Sequence, residues 1–480
     1  MSRLRFSLRE KIGLAVALGL VFGFGVNLEQ RTALRRVPKT DLGVFTAAAW
    51  AVLSGEDLYA VRDWHGWHYH YPPTWAILMI PLADPPPEAF PPKGTDEVRT
   101  ASNTPWGYGV PGHRFYGLHQ QNLRFFLIVA GWYVLSLGLC LLAVHALACV
   151  LEGKKLSDVP PIDPTERNRW WALRLIPLLV CVGSIATDFS RGQADIALLA
   201  AVAFGLYLAA QQRELQAGFW LALPMTVKLF PPFLLLYPIW QRRWRMTAGV
   251  AVGLFVLLVA LPVLALGPRR TIESYREWKE VLVKPSFGTG HNQSRRQELT
   301  GMTSTDNQSL LAAIHEWRYR GITRKVRPQE ASAAERNAVY FVGGLMLGII
   351  GFVLRGRRLQ SPRESLLLSG LLIGLALVVS PVVHNYYYLL MLPLVVALIH
   401  PAIQDPLRLK QDWKFVLPVL LFMVTDMMVR FPVLGSRLRD LSLPLLSLLW
   451  LLGAALMELL PGDKAACELK MPVESPAGAS

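Results

Sequence analysis

The sequence predicts an all-α polytopic membrane protein. Three observations carry that prediction. Of 480 residues, 52% are hydrophobic and only 17% charged, where a soluble chain of this length carries more charge. Apolar runs near the length needed to cross a bilayer recur from one end of the chain to the other. The basic residues lie between those runs rather than in one patch. The net charge of +15 therefore reads as positive-inside topology and contact with anionic lipid heads, not as a nucleic-acid surface.

Apolar segments fall near 10–27, 123–151, 172–187, 194–211, 216–226, 229–240, 246–267, 336–355, 365–379, 386–402, 414–430 and 442–460, about twelve against a spanning length of roughly 20 residues. The first lacks a small-x-small cleavage site and is kept as a spanning helix rather than a signal peptide. The runs are continuous, so residues 1–460 form one membrane domain, and "MPVESPAGAS" in the tail 461–480 reads as disordered. Cys140, Cys149 and Cys181 lie in apolar segments and Cys467 in the tail, with no CxxC spacing.

Charge orients the array. "MSRLRFSLREK", "EGKKLSDVPPIDPTERNR", "QRRWR", "RGRRLQSPR" and "RLKQDWK" belong on the cytoplasmic side, which puts both termini inside. The opposite face then holds the first loop 28–122, the turn "TDFSRGQ", Lys228, the long loop 268–335 and "SPVVHNYY". Within 28–122, residues 42–53 and "YPPTWAILMIPL" are helices too short to cross, suited to lying in the interface. Residues 84–118 are rich in Pro and Gly and read as an irregular insertion.

That face collects the residues able to carry chemistry. Asp41 precedes "LGVF", where it serves either as a helix N-cap or as a general base for an acceptor hydroxyl. Glu56, Asp57 and Asp63 are further acids. Tyr59, Trp64, Trp67 and Tyr71 present flat faces to sugar rings, unless they form an interfacial aromatic belt. The spacing of His65, His68 and His70 does not fit a helical zinc pair, so no metal is expected. Asp188, Arg191, Gln193 and Asp195 surround a turn that opens a helix. It is either a plain polar turn or an anion site. Lys228, inside "TVKLFPPF", is costly in lipid unless it snorkels or finds a phosphate. Asn307, Gln308 and Ser309 of "DNQS" precede "LLAAI" and suit a helix cap over the site; "HNQS" at 291–294 repeats the N-x-S pattern. His384 opens the last candidate element, "SPVVHNYYYLLMLP", as part of a Tyr belt or as a hydrogen-bond partner for phosphate or sugar.

The segments "DLGVFTAAAWAVLSGEDLYA", "YHYPPTWAILMIPL", "RGQADIALLAAVAFGLYLAA", "AGFWLALPMTVKLFPPFLLLYPIWQRRWR", "DNQSLLAAI" and "SPVVHNYYYLLMLPL", in this order across most of residues 10–400, resemble glycosyltransferase family 87. The last two spans match only as hydrophobicity. The resemblance implies a GT-C fold, with Asp41 as the base in the first external loop and two helices lying along the membrane at 42–53 and 74–83. It implies inverting, metal-independent transfer of a hexose, expected to be mannose, from a polyprenyl-phosphate donor to a glycolipid or glycan acceptor. Arg191, Lys228 and His384 would hold the donor phosphate. Asp57, Tyr59, Tyr71, Gln193, Asn307 and Gln308 would bind substrate. The membrane would be a bacterial inner (plasma) membrane with the site outside, and no cofactor is expected. Asp57 or Asp63 is the alternative base. Two competing readings are a transporter or flippase of a lipid-linked or anionic solute, which would often show two related halves, and a structural subunit, which needs no such residues on one side.

Overall fold

The computed structural model describes residues 8–34, 39–62, 67–84, 120–228, 231–287, 289, 301–302, 304, 306–323, 326–355, 357–359, 361–406 and 413–460. The insertion beyond residue 84, Asp63, Trp64, His65, the "HNQS" motif and the tail 461–480 lie outside these residues. The described chain is helical. Its one β-bridge joins Arg62 and His68.

The helices run α1 (Leu8–Arg31), α2 (Leu42–Ser54), α3 (Pro73–Leu78), α4 (Gln120–Glu152), α5 (Pro164–Val180), α6 (Val182–Arg191), α7 (Asp195–Ala210), α8 (Glu214–Val227), α9 (Leu236–Trp240), α10 (Trp244–Leu266), α11 (Pro268–Trp278), α12 (Leu310–Arg318), α13 (Ala333–Val353), α14 (Pro362–Val379), α15 (Leu392–Gln404), α16 (Trp413–Met428), α17 (Pro432–Asp440) and α18 (Leu443–Leu459). A 3₁₀ turn, Asn385–Met391, leads into α15.

Each expected apolar segment contains helix, but not each is a span. Among the described residues six helices are long and apolar enough to cross a membrane, or eight if two bent pairs each count once. One bent pair is α5 and α6, turned by 64° at Cys181. The other is α17 and α18, turned by 61°. The expectation of about twelve counted shorter helices as spans. The difference has a local cause in 216–240. There α8 stops after Val227, Lys228 is extended, and only short helical pieces follow Pro231. A proline removes one backbone donor and crowds the preceding turn.

The core is wide and apolar, and it runs through α4, α7, α14 and α15. Leucine and alanine fill it, while α1 and α13 leave large apolar side chains such as Leu20, Phe22, Phe341 and Phe352 on the outer surface, as a lipid-facing helix requires. α8 and α10 cross closely. A Cβ on Gly218 would lie 2.0 Å from the Met246 carbonyl, and one on Gly249 would lie 2.2 Å from that of Leu215. Small residues at such crossings let backbones touch, which is a main source of helix association in lipid.

The two short helices of the first loop do not lie free in the interface. Leu42, Val44, Phe45, Ala48, Ala49 and Ala51 bury most of the circumference of α2. Phe45 packs edge-on against Tyr71 and Trp75, bringing α3 alongside. Arg270 of α11 donates to the carbonyls of Ala51, Val52 and Glu56 and so closes the C-terminal end of α2. α3 is docked by a defect in α10. Residues Val256–Ala260 widen into a π turn. In that stretch the carbonyl of Leu257 accepts from Thr74 Oγ1 at 2.7 Å, and that of Leu258 accepts from Tyr275 at 2.6 Å.

Replacing Gly249 by Val is expected to force α8 and α10 apart. Overpacking of this kind costs about 1–3 kcal/mol or more, and it is read as a lower unfolding temperature in detergent beside an unchanged Gly344→Val control, whose position is open.

Candidate active site

The site is built where α2, the α6–α7 turn, the end of α8 and the 381–391 segment meet. Its centre is the turn 191–195. Gly192 takes a left-handed φ of 65° and ends α6, a conformation that costs an L side chain strain. The turn is also crowded, since a Cβ on Gly192 would lie 2.7 Å from Thr40 Oγ1. The freed carbonyl of Arg191 accepts from the Asp41 amide at 2.7 Å and from Thr40 Oγ1 at 3.0 Å. The loop before α2 is thereby stitched to the α6–α7 turn.

Asp41 sits at the N-cap position of α2, yet its carboxylate makes no capping hydrogen bond. Thr40 Oγ1 accepts the Leu42 amide instead. The half-buried Asp41 carboxylate accepts from Gln193 Nε2. Gln193 is oriented in turn by Tyr71, whose hydroxyl donates to Oε1 at 3.0 Å. Tyr59 donates to the Tyr71 carbonyl at 3.1 Å. Asp57 is occupied one turn away, accepting the Tyr59 amide at 2.9 Å. Tyr59, Tyr71, Gln193 and Asp41 thus form one chain of contacts, with Asp57 at its far end.

Lys228 is buried, and its Nζ lies 2.6 Å from Asp195 Oδ2. The ring centroids of Tyr387, Tyr386 and Tyr71 stand 4.0, 5.3 and 5.7 Å from the ammonium. Such faces attract a cation. The anion expected beside Lys228 is therefore already supplied by the protein as Asp195. Asp188 stands nearby, its carboxylate accepting the amides of Asp195 and Ile196 at the start of α7.

His384 stacks on Tyr386, centroids 5.3 Å apart, and meets Tyr387 edge-on. Burial, then the nearby Arg191 guanidinium, pulls its imidazole down to about 4. At neutral pH it is an uncharged hydrogen-bonding ring.

Asn307 and Gln308 hold the loop down. Asn307 donates to the Pro381 carbonyl and accepts from the amides of Val383 and Ser309. The Gln308 amide donates to the Val383 carbonyl at 2.6 Å, and Tyr388 donates to the Gln308 carbonyl. Ser309 caps α12, as expected, by accepting the Ala312 amide. The Asn307 side chain, expected on substrate, joins two stretches of backbone instead.

An open cavity of about 230 Å³ adjoins this cluster. Arg191, His384 and Tyr386 line one side, and Arg31, Asp306, Asp426, Arg430 and Arg439 line the rest. Asp426 is held by the amide and hydroxyl of Ser184. Arg31, Asp426, Arg430 and Arg439 were missed in the sequence. The legible signal was Asp426, an acid inside the apolar run "VLLFMVTDMM" and as costly there as Lys228. Among the described residues, no three His, Cys, Asp or Glu side chains gather where one metal ion would sit.

Removing one member of the Lys228–Asp195 pair strands a buried charge, at a cost of about 3–5 kcal/mol. Lys228→Met is therefore expected to lower the unfolding temperature sharply. Adding Asp195→Leu should recover much of the loss; a double variant no better than the single would show that the pair is not the reason.

Comparison with known proteins gives one assignment. The model of glycosyltransferase family 87 matches residues 69–381. No curated protein and no solved structure matches.

Proposed function

The chain belongs to glycosyltransferase family 87, and from that premise we propose that it transfers a hexose, most simply mannose, from a polyprenyl-phosphate donor to the hydroxyl of a glycolipid or glycan. Membership favours the enzyme over the transporter. The observation that carries the chemistry is the Asp41 carboxylate, held by Gln193 rather than spent on its helix, beside an arginine-lined cavity.

Asp41 acts as general base. It takes the proton of the acceptor hydroxyl as that oxygen attacks the anomeric carbon. The sugar–phosphate C–O bond breaks from the opposite face, so configuration inverts, and the bonding pair leaves on the lipid phosphate. That leaving group needs positive charge and donors rather than an acid. Arg191 supplies charge, and neutral His384 supplies an N–H. Lys228, neutralised by Asp195, sets the shape and potential of the floor instead of gripping the phosphate. Tyr71 and Gln193 fix the base, Tyr59 supports Tyr71, and Asn307 and Gln308 hold the roof. The positive-inside pattern supports an inner (plasma) membrane with this end of the bundle outside.

The decisive experiment is transfer of labelled mannose from polyprenyl-phosphate-mannose in membranes. Asp41→Asn keeps the size of the side chain and removes the base, so transfer should fall by about 10²–10⁴-fold at unchanged protein level. Activity that survives moves the base to Asp57 or Asp63. No transfer by the natural chain from any polyprenyl-phosphate sugar overturns the donor class.

A further inference from the structure

The cavity has a composition that the transfer reading does not by itself require. Four guanidinium groups line it, those of Arg31, Arg191, Arg430 and Arg439, against two carboxylates, Asp306 and Asp426. Four less two leaves two positive charges. Asp306 is shared, its oxygens 3.7 Å from Arg191 and 3.9 Å from Arg439. Arg430 and Arg439 come from the elbow between α16 and α17 and from α17 itself. Both lie outside the residues matched to the family. Arg439 is anchored, donating to the Val429 carbonyl at 3.1 Å, so its position does not depend on a ligand.

A sugar–phosphate diester carries one negative charge. The lipid monophosphate released from it carries about −1.5 to −2 at pH 7. A cavity with two surplus charges fits the second better than the first. The same elbow exposes Phe431 and Val433, and Leu441 follows at the far end of α17. Apolar side chains at the rim suit a phosphate that arrives on a hydrocarbon tail.

Resting on the lipid-phosphate reading above, we propose that the α16–α17 elbow completes a site selective for a lipid phosphate monoester, with Arg430 and Arg439 meeting the charge that appears as the sugar leaves. Interactions stronger after bond breaking than before it accelerate the chemical step. The site therefore favours the departing phosphate over the intact donor, and lipid monophosphate is a tight product inhibitor.

The test is calorimetric titration of the full chain in nanodiscs with farnesyl monophosphate, with its methyl diester, and with inorganic phosphate, at pH 7.5. The natural chain should bind the monoester at least tenfold tighter than the diester, and inorganic phosphate far more weakly than either. Arg430→Gln and Arg439→Gln should each cut the preference to threefold or less while the diester still binds. Arg430 is exposed, so its variant keeps the test sound even if Arg439→Gln unfolds, as an unfolding scan would reveal. A preference unchanged in folded Arg430→Gln overturns the inference and leaves the donor reading standing. Inorganic phosphate binding as tightly as the monoester also overturns it, since the cavity would then take a free anion. Binding of neither lipid by the natural chain overturns the donor reading and the inference together.

Discussion

Everything at this end of the molecule rests on the buried pair of Lys228 and Asp195. An ammonium placed deep among apolar helices must have a counter-charge. Supplying one fixes where α8 stops and where α7 starts. The pair then organises what surrounds it. Tyr71 reaches it from the first loop, Tyr386 and Tyr387 from the segment before α15. Three stretches distant in sequence are thus gathered around one charge, and the same Tyr71 carries the hydrogen bond that orients Gln193 toward Asp41. The base is positioned through the ion pair's own walls.

Much of this was legible in the residues. The rule that a charge in an apolar run needs a reason picked out Lys228, and the polar turn 188–195 was visible as a break between helices. Asp41, Gln193, Tyr71 and His384 do come together. The capping role for Asp41 was equally consistent with the sequence. It fails because Thr40, one residue earlier, takes the Leu42 amide. Asn307 and Lys228 lay in the right place, but their polar groups meet other parts of the protein, and a sequence cannot show who a partner is. Span count was the least legible property. Runs such as 216–226 have a spanning segment's composition without its length, and short helices buried among longer ones need not cross.

The arginines were hidden for a different reason. An arginine at the end of an apolar run usually reads as an interfacial anchor, and Arg31, Arg430 and Arg439 each fit that description alone. Only the fold brings α1, α6 and the α16–α17 elbow to a single opening. The charge of the opening is therefore a property of packing. It depends on the close seam where Gly183 of α6 lies against the backbone of Asp426, so near that an added Cβ would sit 2.0 Å from its carbonyl.

The widened turn in α10 has a consequence for how this chain can change over generations. A π turn amounts to one surplus residue in a regular helix. Losing a single codon within 256–260 would heal the helix and rotate all that follows by about 100°, the angle of one residue at 3.6 per turn. Arg270 would swing off the end of α2, and Thr74 would lose its carbonyl. A short deletion in a lipid-facing stretch, where substitutions are mild, would thus be felt at the far loop. The reading frame of that helix is held in register by the lineage's need for the first loop.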